Sequence, residues 1–455
     1  MFPNAQESMQ PQTIIILETE GTTHSNLYPF NILHPSFEVR CGALRLFEKV
    51  QARFPASNLV FHAEAPERAL HLASFRARFG FGETASPENT GNILVLDGNV
   101  IMNETLITSL KAAWEQTSQH LSTNAILRFT NNGTSFAAYI PEGALPKDSL
   151  TEGSATQAQM RDTANFGSNI YDNAVHVAIP EIKQIRYLWD ALAYNAAAIE
   201  DDAQLLQTSK QGAYTPFSEV LTAPGVFALN AENILISEGV QIAPCVVLDA
   251  RKGAIILGRN VEIQPHVSIV GPCFVGDDVL IKAGTRIYEG TSLGAASKVS
   301  GEIKNTIFQG FGNKQHDGCL GYSFIGEWVN LGAGTDVSDL KNNYSTIRVR
   351  FSPDKAQEIS TGKTSLGLLA GDHTKSAINT SFNTGTVTGV SANVFDGAPD
   401  KYVASFSWGG QPDSPLFDEE KAIELARTVM SRRKRELLPE EEALLRREYH
   451  HRPAK

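Results

Sequence analysis

One histidine, His316, stands among glycines and small polar residues in FGNKQHDGCLGYSFIGEWVNLGAGT, residues 311–335. An imidazole with a pKa near ~6.5 exchanges its proton at neutral pH, so His316 is the first side chain to weigh as a general base. The bland alternative is a solvated residue of a glycine-rich loop. A second polar cluster, LKNNY at residues 340–344, has turn-forming composition. In the first half, EGTTHSNLYPF and VLDGNVIM each continue from an apolar run, and HPSFEVRCGALRLFEKV carries Arg40 and Lys49. Cys41, Cys245, Cys273 and Cys319 form no CxxC pair, which signals neither a zinc site nor a disulfide framework.

The elements that must hold His316 show a strong repeat. Leu257, Ile263, Ile269, Val275, Ile281, Ile287 and Leu293 recur every six residues, and Val261, Val267, Cys273, Val279, Thr285 and Thr291 form a second register. Gly258, Gly276 and Gly294 recur every eighteen. A helix repeats near 3.6 and a strand at two, so a sustained period of six fits neither alone. It fits a β-solenoid in which three six-residue sides complete one coil around an aliphatic column. Ile236, Ile242 and Leu248 start the pattern and DARKGA interrupts it. Ile325 with Leu331, then Ile378, Thr384 and Val390, resume it. Two stretches break the ladder, Lys298 to Phe324 and Asp336 to Gly367, and read as projecting loops, the expected seat of chemistry on a rigid scaffold. His373, Asn379 and Asn383 read as corner residues that hydrogen-bond between coils.

Upstream, TIIIL, NLVFHA and NILVLDG alternate with the helical stretches GALRLFEKVQARF and ETLITSLKAAWEQ, the pattern of an α/β domain with a largely parallel sheet. Downstream, Ile423, Ala426, Val429 and Met430 lie at helical spacing, and Pro439 with three glutamates opens a segment that ends in arginines and histidines. Two terminal helices that pack on the solenoid or a neighbouring subunit are expected.

The chain has 455 residues, enough for two or three domains, and 42% hydrophobic and 20% charged residues, ordinary for a soluble enzyme. A net charge of −11 argues against general binding to nucleic acid or an anionic membrane. No basic-then-apolar leader opens the sequence and TIIIL is too short to span a bilayer, so a cytoplasmic protein is expected.

A six-residue left-handed β-helix, with a histidine ahead of IGEWVNLGAGT and an Asn-Tyr further on, resembles the acetyltransferase half of the bifunctional N-acetylglucosamine-1-phosphate uridyltransferase / glucosamine-1-phosphate N-acetyltransferase family. GEIKNTIFQGFGNKQHDG, GEWVNLGAGT and GDHTKSAINTSFNTGT are most similar to a divergent branch of sugar nucleotidyltransferase-like proteins. The resemblance implies an α/β nucleotidyltransferase-like (Rossmann-like) domain at residues 1–224, a left-handed parallel β-helix of hexapeptide repeats at 225–412 and a helical tail at 413–455. It implies that His316 is the base that deprotonates a sugar amine for attack on acetyl-coenzyme A. Glu302 falls on a nearby carboxylate, Lys304 on a lysine that contacts the sugar phosphate, and Asn330 on the asparagine of the VN pair. Asn343 and Tyr344 fall on the acceptor-pocket segment. Cys319 replaces a family tyrosine, and Lys314 is displaced by one position from a family lysine expected at the substrate.

For the first domain the resemblance implies a nucleoside triphosphate such as UTP, held by a glycine-rich loop with Mg2+ on an aspartate after a central strand. Gly21, Thr22 and Pro29 keep the spacing, but Thr23 and Phe30 stand where an arginine and a lysine are expected. Asn99 stands at the metal-binding aspartate, with Asp97 two residues earlier as the candidate metal ligand. HPSFEVRCGALRLFEKV resembles an Arg-Pro-x-x-Glu-x-Arg-x-Gly signature, with His34 for the first arginine. Arg40 and Lys49 are the candidates for the missing positive charge. Asp190 and Asn195 match the end-of-domain helix. By resemblance the assembly is a homotrimer that acetylates an amino-sugar phosphate and binds or makes a nucleotide sugar. The alternatives are nucleotidyl transfer alone, with the β-helix for trimerisation, or a non-catalytic sugar-nucleotide-binding protein.

Overall fold

The computed structural model describes residues 9–18, 26–63, 65–82, 91–118, 125–144, 166–167, 169–208, 214–217, 224–395 and 397–451. The chain divides into two compact units. The first comprises Met1–His24, Pro35–Val39 and Arg45–Ile185, the second Ser25–His34, Arg40–Leu44 and Arg186–Lys455.

Among the described residues, the first unit is built on strands β1 (Thr13–Leu17), β2 (Asn58–His62), β3 (Ile93–Asp97), β4 (Leu127–Asn131), β5 (Thr134–Ile140) and β6 (Val175–Ala178), with helices α1 (Leu46–Arg53), α2 (Ala69–Phe79) and α3 (Glu104–Ser118). The sheet order is β2-β1-β3-β5-β4-β6. β1 is an isoleucine run buried on both faces, as a central parallel strand requires. Ile14 and Ile16 join one core and Ile15 and Leu17 the other, because successive side chains alternate across the sheet. Phe47, Phe61 and Phe75 lie on the first face with ring centroids 4.7 to 6.1 Å apart. α2 stops at Gly80, whose φ of +72° supplies the left-handed turn. The expected parallel pairing holds for β2-β1-β3 and β4-β6. β5 runs antiparallel to both of its neighbours. The cause is local: Asn132 and Gly133, both at positive φ, make the tight turn that folds β5 back on β4.

The second unit is a left-handed β-helix of about ten turns. Its parallel strands stack on three sides, shown by Ile263 on Ile281, Ile269 on Ile287 and Val275 on Leu293. Leu257, Ile263, Ile269, Val275, Ile281, Ile287 and Leu293 are at most 1% exposed, so the six-residue column is the core. Helix α4 (Leu188–Thr208) belongs to this unit, as do α5 (Glu419–Ser431) and α6 (Pro439–His451). Asp418 caps α5 by accepting from the Lys421 amide, and Arg433 reaches the carbonyl of Ala296 at 2.7 Å. The tail thus packs on the solenoid, one of the two expected modes.

Two expectations need correction. Lys298–Phe324 is not a projecting loop: Lys298–Val299, Glu302–Lys304, Ile307–Phe308, Asn313–Lys314, Cys319–Gly321 and Phe324–Ile325 are all coil strands. The repeat fails there because the corners shorten. Val299 stacks on Lys314, Ile303 on Leu320 and Phe308 on Ile325, so these coils take 15 or 17 residues instead of 18. The second interruption is a true insertion, closed by a bridge between Leu340 and Ser365 and carrying a small hairpin. The last register also shifts by two residues. Phe382 and Thr388 stack on Val337 and Ala370, and Ser376 on Val394, whereas Ile378 is a corner residue 69% exposed.

RCGAL, residues 40–44, is held within the second unit. Gly42 adopts a φ of +91°, where a Cβ would collide with the Asp202 carboxylate. Its amide donates to Asn195 Oδ1 at 2.7 Å, and the Ala43 amide donates to Asp202 Oδ2 at 2.8 Å. Asn195 also donates to the Gly290 carbonyl, 2.7 Å, tying α4 to a coil corner. Asp190 opens α4 by accepting from the amides of Arg186 and Tyr187. These signature residues therefore have structural roles. Among the described residues no helix is long and apolar enough to cross a membrane.

Candidate functional site

His316 occupies the corner Gln315–Gly318 between the strands Asn313–Lys314 and Cys319–Gly321. Three corners of successive coils stack here. A Cβ on Gly301 would strike the carbonyl of Gly318, and one on Gly318, with φ +123°, would strike that of Thr335. The glycines are what let the coils approach. The Gly334 amide donates to the Asp317 carbonyl at 3.2 Å, and the Cys319 amide to Asp336 Oδ1 at 2.7 Å. The imidazole of His316 is exposed while its backbone is fixed.

Lys314 does the fixing. It is 1% exposed, and its Nζ donates to the carbonyls of His316 at 2.8 Å and Asp317 at 3.2 Å. Burial lowers its pKa, opposed by the nearby Asp336 and Asp317 carboxylates. The expectation of a substrate-contacting lysine at this position is therefore corrected: the ammonium points into the coil as a brace, because the corner carbonyls need a donor.

The coil below brings Glu302 and Lys304 to the same side, in register with Cys319 and Gly321. Glu302 pairs with Arg286 at 3.3 Å, and Lys304 is exposed with its Nζ 5.9 Å from the Tyr322 ring centre. Cys319 sits half-buried with its thiol pKa raised, by burial first and then by Glu302, Asp339 and Asp336. Asn330 belongs to the adjoining side, where its Oδ1 accepts from Asn313 at 2.7 Å. Asn343 and Tyr344 lie on the insertion, whose root follows Val337, the residue stacked on Leu320. Tyr344 is 69% exposed. Glu302 and Lys304 thus lie one coil below the strand that follows the His316 corner, and Asn343 and Tyr344 lie on a projecting arm.

In the first unit, Asp97 ends β3 beside Leu17, the end of β1. The Gly98 amide donates to the Leu17 carbonyl at 2.8 Å, and a Cβ on Gly98 would collide with that oxygen. Burial raises the Asp97 carboxyl to a pKa of about 7. Asn99 is 3% exposed, and its Oδ1 has no hydrogen-bond partner among the described residues. The carboxyl ends of adjacent parallel strands are where open α/β sheets bind ligands. Gly21 and Thr22 lie outside the described residues. Arg40 and Lys49, the candidates for the missing positive charge, are both buried. Arg40, 4% exposed, donates to the Ala43 carbonyl and covers the Phe274 ring at 5.3 Å, and Lys49 is fully buried in α1. Both positions lie where the chain packs inward.

One cluster escaped sequence reasoning. His34, Glu327 and Asp372, all buried in the second unit, come together although His34 lies 338 residues before Asp372 and Glu327 45 before it. The only prior sign was His34 at an arginine position.

Residues 14–211 match the family model described as sugar nucleotidyl transferase. A bifunctional sugar-1-phosphate nucleotidylyltransferase/acetyltransferase of Sulfurisphaera tokodaii is 30% identical over 179 residues, 34% of this chain and 44% of that protein. The bifunctional protein GlmU of Azoarcus sp. is 34% identical over 118 residues, 25% of each chain. GlmU of Geotalea uraniireducens is 26% identical over 299 residues, 54% of this chain and 64% of that protein. The matches span between a quarter and just under two thirds of these relatives. Residues 14–211 are thus similar to sugar nucleotidyl transferases, and the chain is similar, over the stretches given, to bifunctional sugar-1-phosphate nucleotidylyltransferase/acetyltransferases.

Proposed function

We propose that the β-helix transfers an acetyl group from acetyl-coenzyme A to an amino-sugar phosphate, with His316 as general base. The carrying observation is the corner itself: an exposed imidazole on a backbone pinned from inside by Lys314. The base removes a proton from the sugar ammonium, the freed nitrogen attacks the thioester carbonyl, the new C–N bond forms and coenzyme A leaves as its thiol. General-base assistance of this kind contributes about 10²- to 10⁴-fold. In this reading Glu302 orients the amine or the imidazole and exposed Lys304 meets a phosphate as a point charge, supported by their position one coil below Cys319 and Gly321. Asn330 and the arm bearing Asn343 and Tyr344 complete the acceptor side in this reading. The substrates are a sugar phosphate and acetyl-coenzyme A, and the working assembly is a homotrimer.

The first domain transfers a nucleotidyl group from a nucleoside triphosphate such as UTP. Its support is the family match and the position of Asp97 beside the end of β1. The donor set fits a divalent cation: a carboxyl that is costly to ionise without one, and nearby in sequence the Oδ1 of Asn99, which has no hydrogen-bond partner among the described residues. Mg2+ bound there would neutralise triphosphate charge. Gly21 and Thr22, which follow β1 in sequence, are the candidates for phosphate contact by resemblance alone.

The test is thiol release from acetyl-coenzyme A with glucosamine-1-phosphate as acceptor. Wild type is expected to release thiol and His316→Ala to lose at least 100-fold at an unchanged melting temperature. No release from folded wild type with any amino-sugar phosphate would refute the reading.

A further inference from the structure

Within the second unit, His34, Glu327 and Asp372 are 3%, 5% and 3% exposed, and one ligand-competent atom from each lies within 4.8 Å of the others. His34 Nε2 is 2.7 Å from Asp372 Oδ2. The other oxygen, Asp372 Oδ1, accepts from the Glu327 amide at 3.0 Å, which fixes the plane of the carboxylate. The His34 ring stacks on Phe30 with centroids 4.6 Å apart, and Phe30 meets the edge of Phe324 at 5.7 Å. Glu327 and Asp372 sit at corresponding corners of neighbouring coils, just after the stacked pair Ile325 and Ala370. Gly326 permits that approach, since a Cβ there would collide with Asp372 Oδ1. His373 lies in the same pair of corners. Its amide donates to the Glu327 carbonyl at 2.9 Å, and its buried Nδ1 has no hydrogen-bond partner among the described residues.

We propose that His34, Glu327 and Asp372 form a structural site for a first-row divalent transition-metal ion such as Zn2+. A histidine–aspartate hydrogen bond needs only two residues. Here a third donor from a different coil converges on the pair, the carboxylate is oriented by an amide, and the imidazole is packed by aromatic rings. One imidazole nitrogen with carboxylate oxygens favours zinc, iron(II) or manganese over calcium, which takes oxygen ligands alone. Tetrahedral ligands at ordinary zinc distances lie roughly 3.4 Å apart. The 2.7 Å contact of His34 Nε2 with Asp372 Oδ2 would open and the remaining gaps, all within 4.8 Å, would close as the side chains adjust around the ion. The ion would clamp residues 26–34 to two coils, stabilising the fold independently of either transferase reaction.

The test is metal analysis of the full-length chain, followed by chelation and titration with Zn2+ and with Co2+ as a spectroscopic probe. About one ion per chain is expected, with Co2+ d–d absorption, and a melting temperature that falls on chelation and returns with Zn2+. Glu327→Gln and His34→Gln, each checked for fold by circular dichroism, are expected to weaken uptake at least tenfold. If His34→Gln does not fold, Glu327→Gln and the wild-type titration still decide. Folded wild type that takes up none of Zn2+, Mn2+ or Co2+, or uptake undiminished in the folded variants, overturns the proposal.

Discussion

The two units place their candidate chemistry differently. In the β-helix, Glu302, Lys304 and His316 stand on or between strands of stacked coils, so the scaffold that forms the core also sets their spacing. In the α/β unit, Asp97 and Asn99 lie at and just past a strand end, and the rest of the expected cradle lies in segments that no repeat controls. A ladder constrains neighbours in space to neighbours in count. An α/β sheet joins distant segments through loops whose lengths vary freely.

The column should be the most sensitive feature. Ile281→Asp buries a charge in a fully enclosed position and is expected to abolish the folded β-helix. A native far-UV circular dichroism spectrum with cooperative melting near the wild-type temperature would break the claim that one aliphatic column carries this unit.

In the first unit, Asp97→Asn keeps the shape and removes the charge. It is expected to cut Mg2+-dependent nucleotidyl transfer by 100-fold or more while acetyl transfer persists, checked by pyrophosphate release. Retained pyrophosphate release would move the metal site elsewhere.

Lys314→Met should be intermediate. It leaves two corner carbonyls without their buried donor, at a cost of about 1–3 kcal/mol. Acetyl transfer should fall about tenfold through kcat, since the imidazole loses its placement rather than its chemistry. A variant that melts and turns over like wild type would show that the corner holds itself.

Cysteine labelling gives the smallest readout, a rate order. Cys245 is exposed and Cys319 half-buried with a raised thiol pKa, whereas Cys41 and Cys273 are buried and burial pushes the Cys273 thiol up. Alkylation is expected at Cys245 first, Cys319 more slowly and the other two only on unfolding. Early modification of Cys273 would contradict a closed core.

The same contrast explains what could be read from the residues. The hexads named the solenoid and its column, because each inward position repeats a physical requirement. They failed between Lys298 and Phe324, where shortened corners preserved strand stacking but broke the count of six. Burial of Lys314 was illegible, since a lysine among glycines looks solvated until its carbonyl partners are seen. Arg40 and Lys49 read as charge for a nucleotide, and no pattern in the sequence signals that both fold inward. The His34–Glu327–Asp372 cluster was invisible because coil stacking brings Glu327 beside Asp372 and His34 joins them from a segment 338 residues before Asp372.

The most direct measurement runs both half-reactions on wild type, His316→Ala and Asp97→Asn. Thiol release is expected to collapse only in His316→Ala and pyrophosphate release only in Asp97→Asn, each with an unaltered melting profile for His316→Ala. Thiol release at the wild-type rate from His316→Ala would contradict the account and make the braced corner a feature of the fold alone.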